Sequence, residues 1–181
     1  MLTSEIAKRY AQALFMVAKE EGFVDAYLQD LKRCEEVLSL RREVRDFFLN
    51  PVFPKREKVA LVSRIAEALN LKETTRKFIK LLVEKGRIGH FQEIIKKYQW
   101  FIDEERGLLR VQVKTAFPLT EDLFNQLRKT LSHLTGKKVE IEVEEDRNLL
   151  GGIVVKIRDT VYDGSIKTQL VNMMKLLGEE M

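Results

Sequence analysis

The period of the apolar residues changes once along this chain, at Gly107, and that change limits what it can fold into. Before Gly107, apolar positions recur every three or four residues. Phe91, Ile94, Ile95, Tyr98, Phe101 and Ile102 follow i, i+3, i+4, i+7, i+10 and i+11, the spacing of one helix face. After Gly107 the apolar residues alternate. LLRVQVK (108–114) and KKVEIEVEED (137–146) put every second side chain on one side, as half-buried strands do. The expected architecture is mainly α with a small α+β part. An N-terminal six-helix bundle over 1–105 precedes a C-terminal domain over 106–181 with a small β-sheet and two helices.

Punctuation residues mark the elements. Thr3 or Ser4 can cap the first helix. Phe23, Tyr27, Leu31, Cys34 and Leu38 form one stripe of the second. Asn50-Pro51 ends the third, and Pro54 suits the first turn of the fourth. Gly86 is placed to end the fifth, and Gly107 the sixth. In the second domain, Pro118 and Thr120 introduce a helix with Leu123, Leu127, Leu131 and Leu134 inward, ended by Gly136. Val139, Ile141 and Val143 share one face of a strand, opposite Glu140, Glu142 and Glu144. A closing helix carries Ile166, Leu170, Met173 and Leu177.

Charge excludes some functions. The net charge is +4, with 32 basic and 28 acidic residues interspersed, and no basic stripe of the kind nucleic-acid binders carry. No apolar run approaches the roughly 20 residues of a membrane span. The N-terminus is charged every few residues and does not read as a signal peptide.

Reactive constellations are equally sparse. His90 and His133 lie in different expected domains, neither with a second His at i+4, and Cys34 sits on a core stripe. The acidic clusters 103–105 and 144–146 read as solvated element ends, although paired catalytic carboxylates need not be neighbours in sequence. A phosphate loop needs glycines at fixed spacing so that backbone N–H groups converge on the anion. Gly151-Gly152 lacks that spacing. The step Gly136-Lys137 has Leu131 in place of the first glycine and Lys138 in place of Ser or Thr. The scaffold reading fits better. Gly151-Gly152 supplies a bulge or a close backbone approach, 158–160 turns the chain, Asp163-Gly164 breaks the strand, and Ser165 or Asp163 caps the last helix. No cofactor, metal or small-molecule substrate is expected.

The first helix carries more apolar surface than one packed side needs. Ala7, Ala11, Leu14 and Ala18, with Phe15 beside them, form one stripe; Ile6, Tyr10, Ala13 and Val17 form another. Together they cover roughly half the circumference, whereas a helix packed on one side needs about 100°. The fifth helix can point Ile79, Leu82 and Val83 inward, leaving Phe78 and Leu81 to spare. Two accounts remain open: burial on two sides within the bundle, or a groove for a partner helix.

AKRYAQALF near the start, FIKLLVEKGRI in the middle and LLGGIVVKIRDTVYDGSIKTQL near the end carry a resemblance that spans the chain. The sequence resembles the delta subunit of bacterial F-type ATP synthase, the counterpart of the mitochondrial oligomycin-sensitivity-conferring protein. Gly151, Gly152, Asp163, Gly164, Ser165 and Leu170 match the family pattern in its most specific segment. The resemblance implies a non-catalytic stator adaptor that ties the catalytic head to the peripheral stalk, so that the head resists rotor torque. It implies that the N-terminal segment of an alpha subunit docks between the first and fifth helices, in a groove of Ile6, Tyr10, Ala13, Val17, Phe78 and Leu81. The C-terminal domain would hold the C-terminal region of the b subunits. The expected location is peripheral, on the cytoplasmic side of the bacterial plasma membrane, without insertion. The rival readings are an adaptor of another complex and an enzyme with an unrecognised site.

Overall fold

A computed structural model describes residues 2–40, 42–158 and 160–176, without the side chains of residues 2–4 and 175–176. The chain divides into two compact units, Met1–Ile102 and Asp103–Met181. The division falls in the last turn of the sixth helix, three residues before the expected end of the first domain.

The first unit is helical. It contains α1 (Leu2–Glu21), α2 (Val24–Ser39), α3 (Arg42–Leu49), α4 (Lys55–Ala68), α5 (Glu73–Glu84), a 3-10 turn (Ile88–His90) and most of α6 (Phe91–Glu105). All contribute to one apolar cluster that includes Ala7, Leu31, Ile79, Leu82 and Ile94, all fully buried. The second stripe position by position follows the spacing: Tyr27, Leu31, Cys34 and Leu38 of α2 are buried. Phe23 is the exception. It stands before the helix, exposed, with the Lys72 ammonium 3.9 Å from its ring centre. Two other details differ from expectation. The first helix begins at Leu2, ahead of Thr3 and Ser4. Pro54 is the extended residue before α4 rather than part of its first turn. His90 closes the 3-10 turn ahead of α6.

Two buried polar groups tie the helices together and left no periodic signal. Asp30 is almost fully buried in α2. Its carboxylate accepts the Lys72 N–H at 2.7 Å, just ahead of α5, and pairs with Arg33. A carboxylate at a helix start compensates unpaired N–H groups and the positive end of the helix dipole. Tyr98 of α6 is fully buried and donates its hydroxyl to the Val24 carbonyl at 3.0 Å.

The second unit holds a four-stranded sheet and two helices: β1 (Leu108–Thr115), α7 (Glu121–Thr135), β2 (Lys138–Glu145), β3 (Ile153–Ile157), β4 (Thr160–Asp163) and α8 (Ile166–Leu176). The strand order is β2-β1-β3-β4. β1 and β2 are parallel, joined through α7, and the other pairs are antiparallel. Thr120 accepts the Leu123 N–H to cap α7, and Gly136 ends that helix in the left-handed region. The core is smaller: Leu109, Val111, Val113, Leu131, Val139 and Val155.

Two sequence expectations fail in this unit. Leu123 and Leu134 do not point inward; they are exposed, Leu134 by 74%. Leu131 alone on that helix is fully engaged, with Leu127 packed partly against the cluster. Val143 is also exposed, because the β2 face loses its cover toward the strand end. On α8, Ile166, Leu170 and Met173 stand exposed, while Leu177 lies outside the described residues.

Candidate functional site

The unexplained stripe of α1 meets α5. The Tyr10 and Phe78 rings are 6.4 Å apart in an edge-to-face arrangement. At the other end of α1, Thr74 donates its hydroxyl to Glu21 at 3.1 Å. Later residues of α1 therefore meet earlier residues of α5, so the two helices run antiparallel. One face of α1, Ala7, Ala11, Leu14 and Ala18, is sealed in the core. The second stripe is not. Ile6 and Tyr10 are half-buried, Ala13 is exposed, and Val17 is 36% exposed.

On α5, Ile79, Leu82 and Val83 point inward as the spacing requires. Leu81 is 39% exposed. Phe78 is a correction to its expected freedom: only 8% exposed, it packs under Tyr10 and belongs to the core cluster. Its role in a groove is therefore that of a floor, not a wall. Met16 was not anticipated. It stands three residues after Ala13, on the flank of the same face, and is 56% exposed. Its signal was present in the spacing, masked by the breadth of the apolar arc. The result is a shallow apolar strip: Ala13, Met16, Val17 and Leu81 above a Tyr10–Phe78 floor.

The glycine motif of the second unit is a close-approach device. Gly152 adopts φ +84°, and a Cβ there would stand 2.3 Å from the Gly164 carbonyl oxygen. A Cβ on Gly151 would meet Ile166 Cδ1 at 2.5 Å. The gap is closed by two backbone bonds: Gly164 N–H to Ile153 O at 2.9 Å, and Ile166 N–H to Gly151 O at 3.0 Å. Both expected capping residues act. The Asp163 carboxylate accepts from the Ser165 N–H at 2.9 Å and from the Thr168 hydroxyl at 2.8 Å. The Ser165 hydroxyl accepts the Thr168 N–H at 3.3 Å. The Ser165 bond, chiefly, holds the Asp163 carboxyl below the usual carboxylate range. Leu170, one turn after Ile166, is exposed.

Cys34 and the acidic cluster 103–105 have structural surroundings. Burial, reinforced by Asp30 and Glu35, pushes the Cys34 thiol up to about 12, so it stays protonated and unreactive at neutral pH. The cluster 103–105 is not merely solvated surface. Asp103 is buried and accepts from Arg110, which also pairs with Glu140 at 2.5 Å. Glu104 pairs with Lys137 at 2.8 Å and with Arg158, and the Lys137 bond chiefly lowers its carboxyl. Among the described residues, no three His, Cys, Asp or Glu side chains are grouped to hold a metal, and no helix is long and apolar enough to cross a membrane.

The family described as ATP synthase delta (OSCP) subunit matches residues 6–177. The ATP synthase subunit delta of Syntrophus aciditrophicus is 46% identical over 179 residues, covering 99% of each chain. That of Syntrophobacter fumaroxidans is 39% identical over 172 residues, covering 95% of this chain and 94% of the relative. A chain in the structure of the Toxoplasma gondii mitochondrial ATP synthase hexamer shares the fold at TM-score 0.70 and 20% identity, with 97% of this chain and 98% of that one covered. The chain belongs to the ATP synthase delta (OSCP) subunit family and is a non-catalytic, peripheral-stalk component of the F-type ATP synthase.

Proposed function

We propose that this subunit works as a two-ended clamp. Its N-terminal six-helix bundle, 1–105, binds the N-terminal segment of an alpha subunit in the α1/α5 strip. Its C-terminal domain, 106–181, binds the C-terminal region of the b subunits. The joint lies on the cytoplasmic side of the bacterial plasma membrane, peripheral to it, and transmits no group and moves no electron. It resists torque on the catalytic head by staying bound during turnover.

The single observation that carries the head-side contact is the open apolar strip on α1 and α5. A helix laid on it covers Val17 and Leu81, both more than a third exposed, and gains apolar burial at about 25 cal/mol per Å². A nanomolar contact corresponds to about −12 kcal/mol, which a helix-in-groove contact can reach only if little ordering cost is added. The Tyr10–Phe78 floor, already packed edge-to-face in the free chain, supports that economy. For the stalk side, the support is the exposed apolar row Ile166, Leu170 and Met173, at i, i+4 and i+7 along α8.

Calorimetry with a synthetic alpha N-terminal peptide tests the head-side contact. Tyr10→Asp and Leu81→Arg are each expected to weaken binding by at least about tenfold, since each sets a charge in a desolvated contact. Both variants keep the helical circular dichroism of the parent. Unchanged affinity in both removes these residues from the contact.

A further inference from the structure

The charges bordering the α1/α5 strip fall into two sets. Most are satisfied within their own unit. Glu73 pairs with Lys77 at 2.7 Å, Lys80 with Glu84 at 3.9 Å, and Glu21 receives the Thr74 and Tyr27 hydroxyls. Three exposed charges on the strip's own face have no partner among the described residues: Arg9, Glu20 and Lys85. Arg9 stands four residues before Ala13 and Glu20 seven after it, so both share its face of α1. Lys85 stands four after Leu81 and continues the open face of α5.

Their placement is polar. Because α1 and α5 run antiparallel, the early part of α1 lies beside the late part of α5. Arg9 and Lys85 therefore border one end of the strip, and Glu20 borders the other. Eleven residues separate Arg9 from Glu20, about 16 Å of helix or three turns. Glu5, one turn before Arg9, is exposed and makes no ion pair with it; its carboxylate offsets part of the basic end, which Arg9 and Lys85 together keep net positive.

We infer that the strip selects its ligand by charge polarity as well as by apolar shape: it takes an amphipathic helix of about three turns with a carboxylate at the Arg9/Lys85 end and a cation at the Glu20 end. This rests on the groove reading above and adds to it the partner's chemistry and direction. A helix laid in reverse sets like charges together at both ends, which disfavours the wrong orientation.

Calorimetry on the full chain tests this, with the synthetic alpha N-terminal peptide as probe. The variants are Arg9→Glu combined with Lys85→Glu, Glu20→Lys alone, and Tyr10→Asp as the apolar control. The two-site reversal is expected to lower affinity about tenfold at low ionic strength and by clearly less at 0.5 M salt, because exposed charges are screened beyond a few ångströms there. Glu20→Lys lowers it less, being one charge. Replacing the peptide's carboxylates by amides reproduces the loss on the parent chain and abolishes the effect of the two-site reversal. Affinity within about twofold of the parent in the two-site variant, with Tyr10→Asp still defective, overturns the charge inference and leaves the groove standing. Unchanged affinity in all three variants overturns the groove as well.

Discussion

The helical unit and the sheet unit are held by different means. In the first, a broad apolar cluster spans every helix, and the buried polar groups Asp30 and Tyr98 are each given a backbone partner. In the second, six buried apolar residues among those described must hold a four-stranded sheet and the helices α7 and α8. The deficit is met by backbone contact at Gly152–Gly164, by the Asp163–Ser165–Thr168 cap and by ion pairs across the sheet. The comparison teaches where each unit can afford an open surface. The helical unit leaves the α1/α5 strip open above Tyr10 and Phe78, and it also exposes Leu40, Leu49 and Val52. The sheet unit leaves most of α8 and two leucines of α7 uncovered.

The contrast predicts different weak points. The largest effect belongs to the helical core. Leu82→Ala removes a fully buried side chain and is expected to cost about 2–5 kcal/mol, read by urea denaturation of the helical signal. A cost below about 1 kcal/mol would mean the core is loosely packed.

Next is Gly152→Ala. It forces an L side chain to positive φ and a Cβ against the Gly164 carbonyl, so it is expected to cost at least about 2 kcal/mol in the sheet unit. Hydrogen exchange at the Gly164 amide should accelerate while the helical unit is unaffected. An unaltered exchange rate there would show that backbone approach is not what holds β3 to α8.

Tyr98→Phe follows. It removes the second hydrogen bond to the Val24 carbonyl, which as part of α2 also accepts within the helix, and is expected to cost about 0.5–1.5 kcal/mol, visible as a lower thermal midpoint of the helical unit.

A smaller effect concerns pH. The Asp163 carboxyl lies lower in the folded chain than its ordinary value near 4. Its stabilising contribution is therefore fully present above that ordinary value, and it is lost as pH falls through the lowered folded value. The sheet unit should lose stability on acidification by this route, and Asp163→Asn should flatten that part of the pH dependence. An identical slope in the variant would assign the acid sensitivity to other carboxylates. The smallest effect is expected of Glu73→Gln, whose exposed pair with Lys77 is screened by solvent; the thermal midpoint should not move measurably.

Much of this was legible in the sequence. The six-position pattern of α6, the stops at Asn50 and Gly86, the alternation of β1 and the glycine step before β3 each depend on local backbone geometry, which neighbouring residues dictate. The breadth of the apolar arc on α1 was legible too, and so was its second stripe. What failed was any statement about depth. Leu123, Leu131 and Leu134 fit the same periodic face of α7, yet only Leu131 is buried. Periodicity says which side chains share a face; it cannot say how far the neighbouring sheet extends beneath them. Phe78 erred in the opposite sense, sealed by a ring from a helix far away in sequence.

By itself, then, the sequence determined the order and type of the elements, the division near Gly107, the absence of a catalytic spacing and the family. Those follow from short-range periodicity, turn residues and motif spacing. Only the tertiary structure decided the partners. The glutamates of β2 acquire a meaning because the parallel register sets Arg110 opposite Glu140 and Lys114 opposite Glu144. Arg9, Glu20 and Lys85 stand out because they border the strip without a partner among the described residues, while Glu73, Lys77, Lys80 and Glu84 of α5 are paired. Pairing is a matter of distances between residues remote in sequence, and those distances exist only once the chain has folded.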